Sequence, residues 1–125
     1  MHKTSTNSIL IIDDDRALAR TLHLLLEHEG YRVITALSAA EGRCMASVSQ
    51  PFLTLLDVHL PDGNGLELLE EMQRINPDGH FILMTGDSDI KTKIAATSCR
   101  EASLLEKPFA IDDVLNRVAA KLSPP

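Results

Sequence analysis

Aromatic residues make up only 3% of the 125 residues, and tryptophan is absent, so any core this chain builds must be aliphatic. Positive charge is also in short supply. Twelve Lys and Arg stand against 18 Asp and Glu, a net charge of −6. A domain of that sign is a poor binder of nucleic acid, and any DNA contact would have to come from a partner or a further domain. The two cysteines, Cys44 and Cys99, are far apart and match no zinc or redox spacing, so they read as small core or surface thiols in a reducing compartment. No apolar run approaches the roughly 20 residues needed to span a bilayer. The N-terminal "MHKTSTNS" is polar and lacks the apolar centre of a signal peptide. The expectation is a soluble, cytoplasmic protein.

What is present is an ordinary globular balance, 44% apolar, at a length that suits one domain. Short apolar runs and helical stripes alternate along it. "SILII" (8–12) is β-branched and stops at Asp13, after which Leu18, Leu22, Leu25 and Leu26 fall on one helical face and Gly30 offers a C-cap. "YRVITA" (31–36) has the mixed character of an edge strand. Ser38 and Glu41 form a capping box for a helix over about 39–49. Pro51 precedes a third strand, 52–57, and Leu66, Leu69 and Met72 mark a helix that ends before Pro77. "HFILMT" (80–85) is a fourth strand. Asp87 or Ser88 can cap a fourth helix carrying Ile90, Ile94 and Ala95. "ASLLE" (102–106) is a fifth strand, and Ile111, Val114, Leu115, Val118 and Leu122 form the last helical stripe. Five strands alternating with five helices predict an α/β fold, a doubly wound parallel sheet with helices on both faces. No internal repeat or second domain is visible. Residues 1–8 read as a disordered N-terminus, 9–122 as the domain, and 123–125 as a tail or the start of a linker.

Such sheets bind ligands at the carboxyl ends of their strands. Those ends carry Asp13, Asp14 and Asp15, then Asp57, then Thr85 and Gly86, then Glu106, Lys107 and Pro108. Carboxylates gathered on one edge repel unless a cation sits among them, and hard oxygen ligands suit magnesium. Lys107 offers a charge for an anion, Thr85 a hydroxyl, and Gly86 room for close approach. That set is what phosphoryl transfer requires. The other polar residues have plainer readings. Asp15 caps the first helix, Asp62 is a turn residue rather than a ligand, and Asp87 is a helix cap. His2, His23, His28, His59 and His80 show no metal spacing, and Met45, Met72 and Met84 fill the core.

With "IIDDD" (11–15), "LLDVHLPDGNGLELL" (55–69), "ILMTG" (82–86) and "LEKPF" (105–109) in this order, the chain resembles the response-regulator receiver domain of two-component signalling, from about residue 9 to 122. The resemblance implies a flavodoxin-like sheet of order 2-1-3-4-5. It implies a phosphoacceptor at Asp57, which attacks a phosphohistidine of a sensor histidine kinase or phosphotransfer protein. It implies Mg2+ held by Asp14 directly, Asp13 through water, Asp57, and the backbone carbonyl of His59. Thr85 would donate to the phosphate, Lys107 would pair with it, and the Lys107–Pro108 bond would be cis. Gly63 and Gly65 would shape the loop after Asp57. The protein would then be a signalling switch rather than an enzyme, catalysing only its own magnesium-dependent phosphoryl transfer and dephosphorylation. Its change of conformation would control an output domain or partner. Direct binding to nucleic acid or membrane is not expected, and phosphorylation-dependent dimerisation is left open.

The alternative is a pseudo-receiver, a binding module that works without phosphorylation; it would be favoured by loss of Asp57, Lys107 or the acidic pair. A magnesium-dependent hydrolase with an Asp nucleophile typically has a second Asp two residues on, where this chain has His59. A flavin-binding relative would need Gly, Ser or Thr where "DDDRA" (13–17) stands. Two positions depart from the family pattern: Leu104 replaces the usual Tyr or Phe, and Arg100-Glu101 replaces Gly-Ala. Both fall on the face that often carries output contacts.

Overall fold

The computed structural model describes residues 8–86 and 103–122. The readings made for the N-terminal residues 1–7, the fourth helix with its Asp87 or Ser88 cap, Cys99, Arg100-Glu101 and the tail 123–125 lie outside these. The chain runs β1 (Ser8–Ile12), α1 (Arg16–His28), β2 (Arg32–Ala36), α2 (Ala39–Ser49), β3 (Leu53–Asp57), β4 (His59–Leu60), β5 (Gly63–Asn64), α3 (Gly65–Ile75), β6 (His80–Thr85), β7 (Ser103–Glu106) and α4 (Ile111–Leu122). β1 thus begins at Ser8, a buried residue assigned to the tail by the boundary drawn at 9.

The main sheet has five strands in the order β2-β1-β3-β6-β7, all parallel. Counting only its own strands, that is the expected 2-1-3-4-5. The antiparallel β4–β5 ribbon was not expected, because two-residue strands carry no readable period. Four helices lie among the described residues.

Alternation along the strands divides the core in two. Leu10, Ile12, Leu56, Phe81 and Leu83 face Ala39 and Ala46 of α2 and Leu68, Leu69 and Met72 of α3. Ile9, Ile11, Leu53, Leu55, Ile82 and Met84 face Ala19, Leu22 and Leu26 of α1 and Val114 and Val118 of α4. A strand covered on both faces has no polar side to show, which is why β1 and β3 read as near-continuous apolar runs, with the buried Thr54 set between Leu53 and Leu55. At the sheet's edges, β2 and β7 are only partly buried.

The helix ends follow local chemistry. Asp15 accepts the Leu18 N–H at 3.1 Å and caps α1. α1 ends in a Schellman motif: the Gly30 N–H donates to Glu27 and the Tyr31 N–H to Leu26, with Gly30 at φ 101°, where a Cβ is disfavoured. Ser38 accepts the Glu41 N–H at 3.1 Å, while Glu41 reaches back to the Leu37 N–H at 2.7 Å, one residue earlier than the usual box. Among the described residues the histidines are exposed or half-buried: His23 bonds the Thr35 hydroxyl, and the His59 side chain is exposed.

Candidate functional site

The parallel register brings the strand ends to one edge. Ile12 of β1 lies beside Leu56 of β3, Asp57 beside Met84 of β6, and Thr85 beside Glu106 of β7. Asp13, one step past Ile12, is therefore a neighbour of Asp57, although 44 residues separate them in sequence.

Asp13 is fully buried, and both its oxygens are paired. Oδ1 accepts the Asp15 N–H at 3.0 Å, and Oδ2 accepts from Lys107 Nζ at 3.1 Å. Asp57 is 5% exposed; its Oδ1 accepts the His59 N–H at 3.1 Å, and its Oδ2 lies 3.5 Å from Lys107 Nζ. Asp14 is exposed. Thr85 is buried, and its carbonyl accepts the Lys107 N–H at 2.7 Å, so the lysine's backbone is fixed by the end of β6. The Lys107–Pro108 peptide is cis, as the resemblance implied.

Burial is the largest influence on Asp57 and pushes its carboxyl up; the His59 N–H pulls it down, Asp13 pushes it up and Lys107 pulls it down, and it settles at about 6. For Lys107, burial lowers the pKa, but Asp13 and Asp57 outweigh it, so its pKa is raised and it stays charged. One ammonium thus faces two carboxylates, with a third, Asp14, close to them, and the local charge is left negative.

Does this edge fit a magnesium ion? Carboxylate oxygens of Asp13, Asp14 and Asp57 lie within 4.8 Å of one another. Two oxygens on one magnesium are about 3 to 4 Å apart, so small side-chain movements or bridging waters would serve a single cation here. Exposed Asp14 leaves a path from solvent, and an ion that keeps several waters needs one. The donors fit. The His59 carbonyl is implied as a further ligand by the resemblance alone. A Cβ at Gly86 would meet nothing nearer than 3.9 Å, so the space beside this strand end is open.

The loop behind Asp57 depends on Gly65. A Cβ at that position would lie 2.4 Å from Val58 Cα, and the Gly65 N–H donates to the Val58 carbonyl at 2.9 Å. α3 can therefore start directly against the strand end. Two features were missed by the sequence reading. Lys107 approaches Asp13 more closely than Asp57, and Asp62, read as a turn residue, spans to α2. Neither leaves a signal at short range in the chain.

The response regulator receiver domain family matches residues 9–119. The chain is similar to the photosynthetic apparatus regulatory protein RegA of Cereibacter sphaeroides, 34% identical over 121 residues that cover 94% of this chain and 66% of RegA. It spans from about half to about two thirds of the length of the curated relatives it matches. Among solved structures it resembles a CheY-like receiver domain protein from Methanospirillum hungatei, with a TM-score of 0.87, 33% identity and 94% of each chain covered. It also resembles a Burkholderia pseudomallei response regulator solved with a phosphorylated aspartic acid, calcium ion and citrate, with a TM-score of 0.81, 28% identity, and 93% of this chain and 68% of that one covered. The ordered strand-end motifs, the sheet they cap and these matches agree, and the chain belongs to the response regulator receiver domain family of two-component signalling.

Proposed function

We propose that Asp57 is the phosphoacceptor of this receiver domain and that it works with Mg2+ bound beside it. The observation that carries this is the Asp57 carboxylate itself, buried at a strand end with Lys107 3.5 Å away and two more carboxylates beside it. A carboxylate oxygen of Asp57 attacks the phosphorus of a phosphohistidine. The P–O bond forms as the P–N bond breaks, and the imidazole leaves with the electron pair and takes up a proton. Bound magnesium supplies positive charge for the phosphoryl oxygens. Lys107 is already charged and has little distance to travel to pair with the aspartyl phosphate. Thr85, at the adjacent strand end, donates its hydroxyl to a phosphoryl oxygen. The Burkholderia pseudomallei relative, with both a phosphorylated aspartic acid and a cation, supports the reading. The donor is a sensor histidine kinase or phosphotransfer protein, the receiver drives an output domain or partner, and hydrolysis of the acyl phosphate resets it in the cytoplasm. Incubating the chain with a small acyl-phosphate donor should add one phosphoryl group to its intact mass with magnesium, and none with a chelator. Equal labelling in both would overturn the reading.

The acidic residues divide by role. Asp14→Ala should weaken magnesium binding about tenfold or more, and Asp15→Ala less than about twofold, because Asp15 is committed to capping α1. Magnesium titration followed by amide shifts would separate them, and equal effects would mean the acidic run is assigned in the wrong register.

Leu104 bears on output. It is half-buried on β7 beside Leu83 and packs on the core that α2 and α3 cover. A leucine changing rotamer displaces less volume than a ring and carries no hydroxyl. Phosphorylation should then move amide shifts at residues 84–86 more than at 103–106. Equal changes would rule out a muted switch at this position.

A further inference from the structure

The loop that follows Asp57 is tied down at a distance. Residues 58–64 leave β3, form the β4–β5 ribbon and enter α3. Within them, Asp62 Oδ1 accepts the Ala39 N–H at 2.8 Å and Oδ2 accepts the Ala40 N–H at 3.1 Å, both in the first turn of α2. N–H groups there have no partner within their own helix. The two bonds are charge-assisted and lower the Asp62 carboxyl below the usual range, the Ala39 bond most, with Arg43 adding attraction. Arg43 in turn makes a two-pronged pair with Glu71 of α3, both contacts at 3.0 Å. Gly63, next in the loop, sits so close that a Cβ on it would lie 3.2 Å from Ala39 Cβ.

At its other end the same loop touches the site. The His59 N–H donates to Asp57 Oδ1 at 3.1 Å, and His59 pairs with Asn64 across the ribbon. α2 already has a local cap in Ser38, which accepts the Glu41 N–H. The reach of Asp62, across 22 and 23 residues, therefore does more than finish a helix; it fixes the loop to a rigid element. Val58 and Leu60 anchor the loop in the core, but His59, Pro61, Asp62 and Asn64 are exposed; that outer part opens more easily unless held, and the alignment of metal-binding groups depends on such outer contacts.

We propose that Asp62 is a positioning residue for the Asp57 site: by tying the 58–64 loop to α2 it holds the backbone that orients the Asp57 carboxylate and frames the cation site. This rests on Asp57 being the magnesium-assisted phosphoacceptor. The test compares wild type, Asp62→Ala, Asp62→Asn and Ser38→Ala. Asp62→Asn keeps one acceptor oxygen, and Ser38→Ala removes a cap from the same helix without touching the loop. The first readout is amide hydrogen exchange at residues 58–64 in chelator. The second is the magnesium concentration that half-saturates labelling by a small acyl phosphate. Asp62→Ala should speed loop exchange severalfold and raise half-saturation on the order of threefold to tenfold, with the saturated rate within about twofold of wild type. Asp62→Asn should fall between, and Ser38→Ala should leave both readouts at wild-type values. The proposal is overturned if Asp62→Ala leaves both unchanged, or if Ser38→Ala moves them as far. Wild-type labelling that is indifferent to magnesium, or that survives Asp57→Asn, would instead defeat the phosphoacceptor reading, and loop exchange would still decide whether Asp62 holds the loop.

Discussion

Asp57→Asn is expected to take up no phosphoryl group from an acyl-phosphate donor while keeping the wild-type fold. An amide has nearly the same shape as the carboxylate but is a poor nucleophile, so chemistry is lost and packing is not. The same substitution should change stability in a pH-dependent way. In the metal-free fold the Asp57 carboxyl titrates at about 6, above the ordinary value of about 3.9 for an aspartate. Folding thus favours its protonated form. The stability that form contributes is fully present below pH ~4 and is lost as pH rises through about 6. Asparagine mimics the neutral form at every pH. In chelator, Asp57→Asn should match wild type near pH 4 and exceed it at pH 8. The margin is on the order of 1 kcal/mol once solvent screening is allowed for, or about 4 °C in Tm. Thermal unfolding at the two pH values checks this. Undiminished labelling of the variant would remove Asp57 as the acceptor, and an equal stability difference at both pH values would remove the account of its burial.

The second large effect is expected at Lys107. Its ammonium lies 3.1 Å from the fully buried carboxylate of Asp13 and 3.5 Å from Asp57. Lys107→Met keeps the apolar stem and deletes the charge, leaving two crowded carboxylates without their cation. Breaking a buried pair from one side typically costs about 3 kcal/mol, because the remaining charge is left uncompensated. The loss should be greatest in chelator at pH 8. Millimolar magnesium should restore a large part of it, since a divalent ion at Asp13, Asp14 and Asp57 can replace the missing charge. Phosphorylation should slow sharply even at saturating magnesium, for the aspartyl phosphate loses its pairing cation. Urea melts with and without magnesium separate the two contributions. A variant as stable as wild type in chelator would mean that the ammonium does not offset the carboxylates.

Much of this protein can be read from local sequence, because local sequence carries periods and end signals. The doubly covered strands show as near-continuous apolar runs, α1 and α4 as leucine and valine stripes, and the helix starts as Asp15 and the Ser38–Glu41 box. The strand ends put Asp13, Asp57, Thr85 and Lys107 on one edge as soon as the sheet is taken to be parallel. Element order and the chemistry of the edge were legible for that reason. Distances were not. That Lys107 leans first on Asp13, that burial lifts Asp57 to about 6, that Asp62 reaches the first turn of α2 and that Gly65 must lack a Cβ against Val58 all depend on groups brought together from remote parts of the chain. By itself the sequence determined which residue types stand at which strand ends. Only the tertiary structure decided which of them share a charge, a hydrogen bond or a loop, because electrostatic and steric effects fall off within a few ångströms and sequence separation does not measure those.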